Sequence, residues 1–191
     1  EGSGSTGATN VLRTLGKVPA IAVLTIDILK GVAAIAAVKF AFTYLPGWLY
    51  YSKVIGLDFS IWQPWMITLA GLLALLGHSK SIWLNFTGGK SVATSLGILL
   101  AMNWMVGLST LGAFALSLAI TKIVSMSSIA GAIAVMALMI AFGQPLPFIL
   151  FAIAGGIYVI WRHRTNIERI LAGTEPKLGQ KLPQESGANP S

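Results

Sequence analysis

The chain has 191 residues, 55% of them hydrophobic and only 10% charged, with a mean hydropathy of +0.77. A soluble domain carries about 25% charged residues, so this chain lacks the polar groups to cover a globular surface, and its length suits roughly six membrane spans of about 20 residues each. The net charge of +7 does not mark a nucleic-acid binder, because the basic residues sit at the ends of apolar segments rather than in a patch interleaved with aromatics. The absence of Cys excludes disulfides, thiolate nucleophiles and Cys-based metal sites.

Residues 1–17 (EGSGSTGATNVLRTLGK) are polar, Gly-rich and basic at their end. They open without an apolar h-region, so no signal peptide is expected; the chain reads as one that begins between two elements. Residues 18–48 are apolar but contain Asp27, Lys30 and Lys39, and a loop around Tyr50 to Asp58 leads to a second apolar span at 59–76. Gly77 to Lys90 (GHSKSIWLNFTGGK) is a loop. Ser91 to Thr121 then runs 31 residues without a charge. As one helix this stretch would be about 46 Å long, too long for a hydrocarbon core near 30 Å without strong tilt, so two short helices joined near Gly107 are the alternative. After Lys122 and the Ser125–Ser128 segment, a span is expected over roughly 129–143. The Gly143-Gln144-Pro145-Leu146-Pro147 turn follows, then a last span over about 148–161 and a basic tail from Arg162.

Loop charge decides between one helix and two across 91–121. With two helices, ten Lys/Arg (13, 17, 80, 90, 122, 162, 164, 169, 177, 181) share one side of the membrane and only Lys53 faces the other. With one helix the tail flips, and the asymmetry is lost. The two-helix arrangement is therefore expected, with the basic side in the cytoplasm. It gathers the N-terminal Gly/Ser loop, the GGKS loop, Ser125–Ser128 and the RHRTNIER segment at one membrane face, and a polar cluster on an apolar protein marks a site.

Gly88-Gly89-Lys90-Ser91 fails as a nucleotide P-loop. The pattern needs Gly where Leu84 stands, and a strand where an apolar span stands. Two glycines before a helix start still let backbone N–H groups approach an oxyanion, with Lys90 adding charge; the bland alternative is a flexible loop with a snorkelling Lys. The first segment offers Asn10 and Arg13, the latter suited to bidentate phosphate recognition, although a merely flexible loop has the same composition. His78 and His163 lack a carboxylate cluster and make a weak metal site. His163 stands between Arg162 and Arg164, which favour its neutral form, and can serve as a base, a phosphate donor or simply an interfacial residue. With Glu168 it also makes a weak, short mimic of an HxxxxD acyltransferase motif. Asp27 and Lys30, spaced i, i+3, form an expected structural ion pair. The six Trp suit interfacial belts.

Three segments in order, GSGSTGATNVLRTLGK (2–17), GHSKSIWLNFTGGKSVATSLG (77–97) and RHRTNIERILAGTE (162–175), resemble the motifs of the PlsY family. These are bacterial membrane glycerol-3-phosphate acyltransferases that use acyl phosphate as donor. IDILKG at 26–31 and the Ser125/Ser128 segment also fit, and the resemblance covers nearly the whole chain. It implies an all-α polytopic transmembrane bundle of seven helices in the family, the first missing from the six read here, in the plasma or inner membrane with a cytoplasmic site. Residues 1–176 would form one transmembrane acyltransferase domain and 177–191 a flexible polar tail.

By the same resemblance, Ser3, Arg13, Lys90, His163 and Asn166 bind and orient glycerol 3-phosphate and support transfer, with Asn10 beside them in the first motif. Gly88 and Gly89 clamp the acyl phosphate, and Ser125 or Ser128 adds a contact. No cofactor or metal is implied. The partners are the two substrates, membrane lipid and an upstream enzyme that forms acyl phosphate. Three departures stand out: Ser5 where the family has Asn, Lys80-Ser81 where it has Phe-Pro, and Ser91 where it has Gly. The expected reaction is direct transfer without an acyl-enzyme, since acyl phosphate is already an activated mixed anhydride. The rivals are a small-molecule or phosphate transporter, and a non-catalytic membrane subunit. No internal repeat supports the transporter, and the polar motifs lie at one face rather than at the midplane.

Overall fold

A computed structural model describes residues 4–44, 47 and 59–180. The expected outer loop at 50–58, with Lys53, lies outside them, as do Ser3 and residues 181–191. The described residues form eight α-helices: α1 (Ala8–Thr14), α2 (Lys17–Tyr44), α3 (Phe59–Ser79), α4 (Val92–Met102), α5 (Trp104–Thr121), α6 (Val124–Ala141), α7 (Leu146–Arg162) and α8 (Arg164–Leu171). A 3₁₀ turn, Ile82–Leu84, sits between α3 and α4.

The expected polytopic helical bundle is present. Helices α2, α3, α5 and α6 are long and apolar enough to cross a membrane, and α7 with α8, bent by 58° at His163, makes a fifth. The sixth expected span is α4, whose 11 residues reach only about 16 Å. The break between α4 and α5 falls at Asn103, not near Gly107. Gly107 lies inside α5 against α4, where a Cβ would sit 2.8 Å from Leu100 N. Asn103 breaks the helix because its side chain competes for backbone donors: its Oδ1 accepts from the N–H groups of Met105 and Val106 at 3.0 and 3.2 Å. Its Nδ2 donates to Gln144 Oε1 at 3.1 Å, which fastens this joint to the α6–α7 turn. Lys39 Nζ donates to Ala101 O at 2.5 Å, answering a carbonyl that the end of α4 leaves without a helical partner.

Small residues let α4 sit at the centre of the bundle. A Cβ on Gly31 of α2 would meet Thr94 O at 2.3 Å, and one on Gly97 of α4 would meet Ile28 O at 2.0 Å. The two backbones touch there, which is how helices associate when lipid competes equally well for apolar side chains. Around this crossing Ile35, Ile67, Leu75, Ile98, Met139 and Phe151 close the core. Leu24, Leu73, Ile133 and Ile157 point outward, as a lipid-facing surface requires.

The opposite end of α4 fixes the site. Ser91 Oγ donates to Leu75 O at 2.9 Å, so α4 begins one turn below the end of α3 at Ser79. The Gly-Gly-Lys loop therefore dips into the bundle. Ser91 itself adopts φ 62°, a left-handed conformation that favours Gly, which accounts for the family's residue at this place.

Candidate active site

Four segments meet at this end: the N-terminal loop with α1, the loop from α3 to α4, the joint between α5 and α6, and the chain from His163 onward. The last folds back because α8 ends at Gly173, whose φ of 70° suits a residue without Cβ. Thr174 and Glu175 N–H groups both donate to Arg169 O, at 2.8 and 3.1 Å, and this turn returns Glu175 to the bundle. Leu178 N–H then donates to Lys122 O at 2.7 Å, tying the returning chain to the α5–α6 joint.

Glu175, buried to 8% exposure, organises the polar centre. Its Oε1 accepts from Ser125 Oγ at 2.7 Å and from Asn166 Nδ2 at 2.6 Å, and its Oε2 accepts from Arg169 Nε at 2.7 Å. The Oδ1 of Asn166 accepts from Lys90 Nζ. Burial alone would raise the Glu175 pKa, but these three hydrogen bonds and the Arg169 charge outweigh it and hold the carboxyl below its ordinary value. Around Lys90 the single carboxylate of Glu175 is thus outnumbered by three further cations, Arg13, Arg162 and Arg169. Burial, helped by the three arginines and opposed by Glu175, pushes Lys90 down to about 8. Such a cluster favours additional negative charge.

The glycine loop is held by Arg162 and His78. Arg162 donates from one terminal nitrogen to Gly88 O at 3.3 Å and Gly89 O at 3.1 Å. Both following peptides are trans, so the N–H groups of Gly89 and Lys90 turn away from that guanidinium. His78 also packs against the loop, so close that a Cβ on Gly88 would lie 2.2 Å from His78 O, and one on Gly89 2.2 Å from His78 Nε2. Only glycine fits at either position. Arg162 Nε is buried without a hydrogen-bond partner among the described residues, a donor left over beside the loop. An open cleft of about 280 Å³ lies here, lined by Ser5, Lys80, Gly88, Lys90, Arg162 and Arg164 among others.

The buried His163 sits at the bend between α7 and α8. Its Nδ1 lies 2.7 Å from Val159 O, and a carbonyl only accepts, so Nδ1 carries the proton and Nε2 keeps its lone pair.

The structure brings Lys90, Asn166 and Ser125 onto one hydrogen-bonded network, with Gly88, Gly89 and His163 beside it. Ser128 points elsewhere, donating to Val124 O of its own helix at 2.9 Å, and Ser125–Ser128 is the first turn of α6 rather than a segment before it. Arg13 reaches the same region by donating to Pro176 O at 3.4 Å. Asn10 donates to Ser5 O at 2.9 Å, which shapes the N-terminal loop. Ser3 lies outside the described residues. Sequence reasoning assigned no role to Glu175 or Arg169, and to Arg162 only an effect on the charge of His163, although all three fall inside the third motif. The signal was the acidic residue that closes this basic segment.

Known proteins resemble this chain over nearly its whole length. A family model described as glycerol-3-phosphate acyltransferase matches residues 1–173. A glycerol-3-phosphate acyltransferase from Nostoc sp. is 65% identical over 185 residues, covering 97% of this chain and 81% of the relative. One from Trichodesmium erythraeum is 56% identical over 191 residues, covering 99% and 83%. Among solved structures, PlsY, an integral membrane glycerol 3-phosphate acyltransferase, superposes in its glycerol 3-phosphate form with a TM-score of 0.77 at 35% identity, covering 93% of this chain and 80% of that one. Its lysophosphatidic acid form gives 0.75 at 34% identity, covering 92% and 80%. The chain belongs to the glycerol-3-phosphate acyltransferase family of integral membrane enzymes.

Proposed function

We propose that this enzyme transfers a fatty acyl group from acyl phosphate to the 1-hydroxyl of sn-glycerol 3-phosphate, at the cytoplasmic face of the cell membrane, releasing lysophosphatidic acid and inorganic phosphate. The observation that carries this reading is the surplus of cation over anion around Glu175, next to a glycine loop with a spare buried donor on Arg162. Two anionic substrates are what such a surplus accommodates. The two PlsY structures are a glycerol 3-phosphate form and a lysophosphatidic acid form, the acceptor and the product of this reaction.

In this scheme Lys90, Arg13 and Asn166 hold the phosphate of the acceptor, with Ser3 and Asn10 contributing from the first motif, and Ser125 keeps Glu175 in place behind them. Gly88 and Gly89 offer backbone N–H groups to the acyl phosphate. The 1-hydroxyl oxygen attacks the acyl carbonyl carbon, the carbon–oxygen bond to phosphate breaks, and phosphate departs with the electron pair. The hydroxyl proton leaves on the departing phosphate, whose oxygen gains the electron pair of the broken bond. His163 Nε2, which keeps its lone pair, then accepts from the neighbouring 2-hydroxyl of glycerol 3-phosphate and so orients the acceptor. The catalysis is positioning and charge neutralisation, with no covalent acyl-enzyme.

The test is acyl transfer by the purified protein with palmitoyl phosphate and glycerol 3-phosphate, run beside palmitoyl-CoA. Product from the acyl phosphate alone is expected. Product from the thioester alone would keep the acyltransferase and overturn the donor.

A further inference from the structure

Behind the glycine loop lies a second polar cluster that the reaction scheme does not use. Lys30 Nζ is 2.6 Å from Asp27 Oδ1 and 2.6 Å from His78 Nδ1, and His78 Nδ1 is itself 3.5 Å from Asp27 Oδ1. The sequence marks Asp27 and Lys30 as a structural pair on one helix face; the fold adds a third member from another helix, 48 residues on. The side chains of Asp27 and His78 are nearly buried, at 9% and 6% exposure. An ammonium group only donates, so His78 Nδ1 accepts from Lys30 and the imidazole proton sits on Nε2. That nitrogen lies against Gly89, and the carbonyl of the same residue lies against Gly88.

We propose that Asp27, Lys30 and His78 form a positioning relay that sets the height and orientation of the Gly88–Gly89 backbone, and so tune the affinity of the loop for the acyl phosphate. Asp27 anchors the Lys30 ammonium, Lys30 fixes the tautomer and rotation of His78, and the His78 ring forms the wall against which the loop is folded. Arg162 holds the two loop carbonyls, and His78 limits how far the loop can shift. A loop so held keeps its N–H groups in one orientation, the preorganisation an oxyanion requires. None of the three residues touches substrate. The inference rests on the assignment of the glycine loop to the acyl phosphate.

The experiment is steady-state kinetics with each substrate varied in turn, on the intact protein in lipid or detergent, for His78→Ala, His78→Gln, Lys30→Met and Gly89→Ala. Thermal unfolding of each variant is followed alongside. His78→Ala is expected to lower kcat/KM for acyl phosphate by about a hundredfold, with a much smaller change in KM for glycerol 3-phosphate. His78→Gln, whose amide accepts from Lys30 and presents an N–H to the loop, should recover most of that loss. Lys30→Met should show the same selective defect, and combined with His78→Ala should add little to it. The relay is overturned if His78→Ala weakens both substrates equally, or if His78→Gln recovers stability without recovering acyl-phosphate affinity. Gly89→Ala separates the two levels: if it leaves acyl-phosphate kinetics intact, the loop assignment fails; if it is defective while His78→Ala is not, only the relay fails.

Discussion

Among the described residues two carboxylates, Asp27 and Glu175, are buried within the polar end, and they are treated in opposite ways. Asp27 meets one lysine and one histidine, a nearly balanced account of charge, on helices that are otherwise apolar. Glu175 pairs with Arg169 while Lys90 and Arg13 also feel its charge, and it accepts hydrogen bonds from Ser125, Asn166 and Arg169. A balanced cluster is complete and serves as support. An unbalanced one stores repulsion that a substrate anion relieves, which separates the binding site from the scaffold more sharply than residue type does.

The largest expected effect comes from removing a cation on the unbalanced side. Lys90→Met should lower kcat/KM by about a thousandfold, the scale of a lost charge stabiliser in the transition state. Without ligand, the same variant should unfold at an unchanged or higher temperature, because a desolvated like-charged neighbour has gone. Lys30→Met should do the reverse on the balanced side, costing about 2 kcal/mol by leaving Asp27 short of its charged hydrogen bond. If Lys90→Met proved the less stable of the two, the contrast would collapse.

Glu175→Gln probes the same imbalance from its anionic member. It preserves shape but leaves Arg169, Lys90 and Arg13 without a counter-charge, so a loss of about 3 kcal/mol in chemical unfolding is expected. For the wild type the sign follows from a carboxyl held below its ordinary value: its contribution is present above the unfolded-state pKa and is lost as pH falls through the folded one. Glu175→Gln should flatten that acid limb.

An alkaline limb in activity is expected. Lys90, pushed down to about 8, loses its charge as pH rises through that value, so kcat/KM for glycerol 3-phosphate should fall there. Lys90→Arg should remove the limb. Glu175→Gln should move it to lower pH, since the Glu175 charge is what raises the Lys90 pKa.

Smaller effects refine the picture. Ser125→Ala should cost several-fold in activity through Glu175, while Ser128→Ala should be silent, because only Ser125 reaches the carboxylate. Ser91→Gly should change stability by less than about 1 kcal/mol, since relief of a left-handed backbone offsets the lost hydrogen bond to Leu75.

Much of this architecture is written in local sequence. Apolar runs, the charge asymmetry of the loops and the three motifs convey the helical bundle and the gathering of Lys90, Asn166, Gly88 and Gly89 at one end. Two kinds of feature escape. The Asn103 break was missed because Gly draws attention as a helix breaker, yet in a membrane bundle Gly107 serves close packing while Asn, with its own acceptor, ends the helix. The Glu175 hub and the His78 contact to Lys30 depend on a bend at His163, a turn at Gly173 and a helix pairing across 48 residues. No periodicity within a single segment encodes those meetings.

The hydrogen bond from Ser91 to Leu75 has an energetic reach beyond the loop it anchors. By starting α4 a turn inside α3, it sets the glycine cradle about 5 Å closer to the apolar spans than the end of α3 is. A donor whose hydrocarbon tail lies among the lipid chains can then present its head to the enzyme while the tail stays immersed. Each methylene drawn out into water would cost about 0.8 kcal/mol, so a reaction centre raised by even a few bond lengths would add a toll on every turnover that grows with chain length.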